Sequence, residues 1–309
     1  MPKLWNIVQE HFEEDFDRKV YAGLALFLSA FILLNYTIEL EDSIIDHREN
    51  RYSRILFYLL LYSTGYYFTC GLIAWTNTTF RPWKNQNFWI LSLVGLCILS
   101  LDKGFPYSHW LIHSFNNPYN LYFFLHQVVD HASTFIWIFI PLLAIYRWID
   151  TTNSHFYGLC KTSAIKSYWI LIVVMLPVIG LAVLQSDFIQ FYPMYKASGV
   201  EAIYNWPAWI PAFIYEFFYG LSFINVELLF RGFFVIGMSQ VLGRHAILPM
   251  VTIYCFLHFG KPAGECMSSI FGGYVLGILA FRTQSIWGGI IVHIAIAWLM
   301  EATAYWLKV

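Results

Sequence analysis

Four ionisable side chains lie inside the most hydrophobic third of this chain, where a lipid-facing helix tolerates none. They are Glu227 and Arg231 in VELLFRG, His258 in YCFLHFG and His293 in IWGGIIVHIAIA. Each costs about 2.5–3.5 kcal/mol at mid-bilayer on insertion scales. Together they amount to about 10 kcal/mol, comparable to the net stability of a whole domain. Side chains that costly turn inward, pair with one another and are kept for chemistry or transport, so function is expected in the C-terminal half.

The rest of the chain fits a bilayer as solvent. Only 12% of the residues are charged, about half the share of soluble domains. A span needs about 20 apolar residues. Apolar windows fall near 20–38, 55–75, 87–101, 119–146, 167–185, 207–225, 226–242, 246–260, 265–282 and 285–306. Some are short or interrupted by polar groups, which predicts about eight spans. The runs are unbroken and do not alternate, which excludes a closed barrel. The expectation is an all-α, polytopic transmembrane bundle, integral to a plasma or inner membrane, with lipid as its first partner. A net charge of −1 without any basic stretch argues against nucleic acid.

The first nineteen residues lack the basic start and short apolar core of a cleaved signal. Leu4, Trp5, Val8, Phe12 and Phe16 recur at helical spacing, which predicts a short interfacial helix. The five cysteines are scattered without CxxC pairing and read as small core hydrophobes. A polar connection near 147–166 divides the chain into an N-terminal accessory block, 1–165, and a core block, 166–309. Gly273 and Gly277 stand four apart and share a helix face, a spacing that lets backbones approach closely inside lipid. Gly232 and Gly237 miss that spacing by one.

Glu227 and Arg231 are also four apart, so on a helix they share a face and can pair. The arginine then holds the carboxylate ionised and oriented. His258 and His293 come from two further segments. A carboxylate and two imidazoles can activate water, the carboxylate taking the proton, one histidine positioning the water and the other stabilising an oxyanion. The same three groups could instead ligate a divalent metal such as zinc. His126 and Asp130, with His131, form a second polar group in the fourth span, read as a packing cluster. Glu216 lies three turns before Glu227, and Glu301 two turns after His293.

VELLFRGFF, FLHFG and FRTQSIWGGIIVHIAIA resemble the three motifs of the CPBP intramembrane proteases, a family with the type II CAAX prenyl endopeptidases and the bacterial Abi proteins. Those motifs run EExxxR, FxxxH and HxxxN, and the resemblance covers about residues 166–309. It implies an intramembrane endopeptidase acting on a membrane-associated peptide or protein, with Glu227, Arg231, His258 and His293 at its site. The resemblance assigns water activation to the first glutamate with His258, and oxyanion stabilisation to His293 with the asparagine. The fit is incomplete. Val226 stands at the first glutamate, Tyr254 at the phenylalanine and Ala297 at the asparagine. Those departures keep open a catalytically silent binding or scaffold protein on the same fold.

Overall fold

The computed structural model describes residues 2–48, 50–105, 107–113, 118–150, 155–162 and 165–308. Eight stretches are long and apolar enough to cross a membrane, and no strand occurs among the described residues. The protein is an all-α polytopic bundle, integral to a membrane.

The N-terminal half runs α1 (Pro2–Asp15), α2 (Arg18–Ile38), α3 (Arg51–Thr76), α4 (Gln86–Gly104), α5 (Tyr107–His113), α6 (Tyr119–Thr134) and α7 (Ile140–Trp148). A π-helical stretch, Phe135–Phe139, joins the last two. The C-terminal half begins with α8 (Trp169–Ala182), then two short helices, α9 (Ser186–Phe191) and α10 (Val200–Tyr204). It continues with α11 (Trp209–Glu227), α12 (Ser239–Leu242), α13 (Ile247–Leu257), α14 (Ala263–Thr283) and α15 (Trp287–Lys308).

Three of the apolar windows, 207–225, 226–242 and 246–260, turn out to be one stretch, Trp209–Leu257. It reverses on itself. Gly243 has φ +58°, a conformation open to glycine, and beyond it α13 runs back so that Tyr254 lies under Arg231. Between α11 and α12 the backbone widens into π-helical turns, Leu228–Gly237, whose residues are all buried. Such widened turns concentrate at functional sites.

Small residues set the spacing around this centre, as the Gly273–Gly277 face predicts. A Cβ on Gly277 would come 2.8 Å from Met250 Cε, and one on Gly273 3.0 Å from Tyr254 Cδ1, so α14 lies hard against α13. Gly232, which spacing alone discounts, is equally tight. A Cβ there would meet the Tyr157 carbonyl oxygen at 2.7 Å. Its partner is a single 3₁₀ turn, Phe156–Gly158, in which Tyr157 departs from helical φ/ψ, so no helical period announces it.

The N-terminal helices pack directly on the core. Thr69 Oγ1 lies 2.9 Å from Thr252 Oγ1, and a Cβ on Gly65 would meet Phe256 at 2.7 Å. Helix α1 forms, but its apolar stripe divides. Leu4 faces the bundle with Ile7 and Val8 packed beside it, while Trp5, Phe12 and Phe16 point outward. Arg282 Nη2–Glu14 Oε2 at 2.5 Å and Arg244 Nε–Asp15 Oδ1 at 3.2 Å tie its end down.

Candidate active site

The end of α11, the π-helical turns, the end of α13 and the first half of α15 converge around Glu227. Its Oε1 accepts from His293 Nδ1 at 3.0 Å and lies 3.0 Å from Arg231 Nη1. The carboxylate is fully buried. Gly289, one turn before His293, makes this possible, because a Cβ there would strike Glu227 Oε2. A glycine therefore admits the carboxylate to the surface of α15.

Arg231 is 1% exposed, and its Cζ sits 4.1 Å from the Tyr254 ring centroid. Its Nη1 is within ion-pair distance of Glu227 without the alignment of a hydrogen bond, and Nε and Nη2 have no acceptor. The cation is thus held by charge and by an aromatic face.

His258 caps its own helix. Its Nδ1 lies 2.8 Å from the Tyr254 carbonyl oxygen, one of the carbonyls a helix end leaves free. Nδ1 must donate to that oxygen, which leaves the Nε2 lone pair available. The same logic applies to His293, whose Nδ1–H points to the Glu227 carboxylate and whose Nε2 lies 3.4 Å from the Tyr254 hydroxyl. Phe223 packs on the His293 ring at 4.3 Å between centroids. Both imidazoles are fixed in orientation and in tautomer, by backbone in one case and by carboxylate in the other.

His258, His293, Arg231 and Tyr254 line one cavity of about 440 Å³. Glu227 does not line it and reaches it only through its neighbours. Lys261 and Glu265, paired at 2.6 Å, form a polar corner, and Tyr192 donates to Glu265 at 2.7 Å. The opposite wall is apolar, made by Val174 and Val178 of α8 and Phe271 and Val275 of α14. Phe271 is 73% exposed and Val174 56%, so this wall borders an exposed apolar face of the bundle.

Sequence reasoning singled out Glu227, Arg231, His258 and His293, and the fold brings all four to this place. It does not bring them together as metal ligands. Among the described residues no group of three histidines, cysteines or carboxylates could hold an ion. The reason is the donor set itself. The Glu227 carboxylate faces His293 Nδ1 and Arg231, away from the cavity, and a cation at that spot would meet the guanidinium. The residues do not fit a metal.

Val226 packs among apolar neighbours of α11 and α15, while Ala297 lines the cavity beside Tyr219 and Phe223. His126, Asp130 and His131 lie elsewhere, against α11. His126 Nδ1 is 3.1 Å from Asp130 Oδ2, and His131 Nε2 is 3.2 Å from the Tyr215 hydroxyl. Glu301 accepts the Met194 N–H at 2.8 Å and anchors the 186–206 connection, and Glu216 faces it from α11. Neither carboxylate lines the cavity. Sequence reasoning passed over Gly289 and read Tyr254 only as a departure from a motif. The signal for Gly289 was present, since it stands one turn from an intramembrane histidine.

Comparison with curated proteins and with solved structures gives no match. A family model described as type II CAAX prenyl endopeptidase Rce1-like matches residues 223–299, a segment that contains Glu227, Arg231, Tyr254, His258, Gly289 and His293. The matched segment supplies Arg231, Tyr254, His258 and His293 to the cavity, so this part of the multispanning membrane protein is similar to an Rce1-like domain.

Proposed function

We propose that the protein is an intramembrane endopeptidase that hydrolyses a lipid-attached peptide, with His293 as the proton acceptor. One observation carries this reading. A buried carboxylate backs an imidazole that lines a cavity together with a second imidazole, His258. A carboxylate in that position orients the ring and stabilises the imidazolium that forms, and does not itself take the proton.

Water bound between His293 Nε2 and His258 Nε2 attacks the scissile carbonyl carbon. As the new C–O bond forms, the water proton moves to His293 Nε2 and the carbonyl electrons move onto oxygen. On collapse the C–N bond breaks and His293 returns the proton to the leaving nitrogen. The products are a carboxylic acid and an amine, and the catalyst is regenerated. Glu227 supports this at one remove, so the proton-accepting role expected of the carboxylate passes to the histidine it holds. Arg231 places its guanidinium 3.0 Å from the same carboxylate oxygen. Proton transfer by a positioned base is worth about 10²–10⁴-fold in rate.

The apolar wall between α8 and α14 suits a hydrocarbon chain attached to the substrate, and the Lys261–Glu265 corner suits peptide polar groups. Residues 1–165 act in this reading as a brace. Asn35 Nδ2 donates to the Phe259 carbonyl at 2.9 Å and the Tyr36 hydroxyl to the Lys261 carbonyl at 2.6 Å, which fixes the turn after His258.

A second reading, a silent binding protein on the same fold, is favoured by Val226 and Ala297. The two are separated with purified protein in liposomes and a peptide ending in a prenylated cysteine plus three residues. The unmodified protein is expected to release the terminal tripeptide, with His258→Ala and Glu227→Ala both inactive. Release that appears only after Val226→Glu with Ala297→Asn would establish the silent reading. Equal release by the alanine variants would remove these residues from the chemistry.

A further inference from the structure

The oxyanion of a tetrahedral intermediate needs a hydrogen-bond donor beside the base, and Ala297 has none. Tyr254 does. Its hydroxyl lies 3.4 Å from His293 Nε2, within the same cavity. The ring is clamped. Arg231 covers one side at 4.1 Å, Phe230 abuts it with centroids 5.0 Å apart, and His258 lies edge-on at 4.5 Å. Against Gly273 there is no slack, since even a Cβ would stand 3.0 Å from Tyr254 Cδ1. Three other hydroxyls around the cavity are committed elsewhere, Ser268 to the Glu265 carbonyl, Ser269 to the Cys266 carbonyl and Tyr192 to the Glu265 carboxylate, and of the cavity's hydroxyls it is that of Tyr254 that contacts His293 among the described residues. A phenylalanine would fill the same volume and supply no donor. What reads in sequence as a lapse from a motif adds one O–H at the place where charge develops.

We propose that Tyr254 is a catalytic residue whose hydroxyl donates to the scissile carbonyl oxygen as it becomes an oxyanion, in place of the donor that Ala297 lacks. This rests on the reading of His293 as base. In the resting site the hydroxyl leans on His293 Nε2 through a long, weak bond. Water takes over that nitrogen when substrate arrives, and the O–H bond rotates about the fixed phenol oxygen to point at the carbonyl oxygen. It keeps its proton throughout, so the atom balance of the hydrolysis is unchanged. The guanidinium over the ring strengthens it as a donor, because a nearby positive charge favours electron density withdrawn from the O–H.

Tyr254→Phe removes one oxygen atom and keeps the ring. Turnover of a prenylated peptide and inhibition by the corresponding phosphinate, an anionic tetrahedral mimic, are measured in liposomes for the unmodified protein, Tyr254→Phe and His293→Ala. Loss of one oxyanion donor lowers kcat by about 10²–10³-fold. The expected result is a fall of that order in Tyr254→Phe with KM little changed, matched by an equal weakening of phosphinate inhibition. A merely structural tyrosine would shift KM and the mimic unequally, and a kcat loss that the mimic does not follow overturns the proposal. Tyr254→Phe within about threefold of the unmodified protein, with His293→Ala inactive, overturns it while sparing the reading of the base. Full activity in His293→Ala overturns both.

Discussion

Replacing Gly289 by alanine should disable the site from behind without touching any group that lines the cavity. The new methyl would occupy the position of Glu227 Oε2, which has no free space to enter because the carboxylate is fully buried. Either α15 moves away or the carboxylate rotates off the 3.0 Å bond to His293 Nδ1. A charge-assisted bond of this kind is worth about 1.5–3 kcal/mol, and a misplacement of about 1 Å in a catalytic group costs about 10²-fold in rate. The expected outcome is a kcat at least about 10²-fold lower, with KM for the prenylated peptide unchanged, because the apolar wall and the Lys261 corner are untouched. Shortening the acid by one methylene, in Gly289→Ala with Glu227→Asp, should recover part of the loss. Turnover of liposome-reconstituted protein, with thermal unfolding in detergent as the control for folding, gives the answer. A Gly289→Ala protein that folds and cleaves at the unmodified rate would refute the claim that Glu227 works through His293.

Other outcomes are set by the same contacts. Arg231→Met leaves the Glu227 charge buried and unpaired, so thermal stability should fall by about 3–5 kcal/mol, and Arg231→Met with Glu227→Gln should regain much of it in a denaturation series. Asn35→Ala strands the Phe259 carbonyl and the Glu41 N–H, which Asn35 bridges at 2.9 and 3.1 Å. That should cost about 1–3 kcal/mol and lower kcat, although Asn35 is far from the cavity in sequence. His11 in α1 is buried with both ring nitrogens unpartnered, and burial holds its pKa below the ordinary 6.5, against the opposing pull of Asp15 and Glu14 and with the help of Arg282 and Arg244. Folded protein therefore binds fewer protons there than undocked chain, so docking of α1 is at full strength above the ordinary pKa and weakens as pH falls below it. Limited proteolysis near Arg18 should accelerate on acidification, and His11→Phe should remove that acceleration.

The features legible in sequence were the local ones. Helical spacing within a single segment announced the Glu227–Arg231 pair, and hydropathy announced the number of spans. The cost of charge in lipid singled out His258 and His293. What the sequence withheld depended on contacts between segments. Three apolar windows became one folded-back stretch because Gly243 permits a reversal that hydropathy does not register. The direction of the Glu227 carboxylate, away from the cavity and onto His293, is decided by the gap at Gly289 on another helix. Gly232 serves the carbonyl of a single 3₁₀ turn and so carries no period. Tyr254 was visible as a departure, but only the fold places its hydroxyl beside His293.

In the proposed reaction His293, oriented by Glu227, activates water for peptide hydrolysis at the cavity. Single-turnover cleavage of a prenylated peptide in H₂¹⁸O, followed by mass spectrometry of the new carboxyl terminus, measures that step directly. One labelled oxygen is expected in the product of the unmodified protein, and no incorporation with His293→Ala. Labelled product formed equally fast by His293→Ala, or none formed by the unmodified protein, would contradict it.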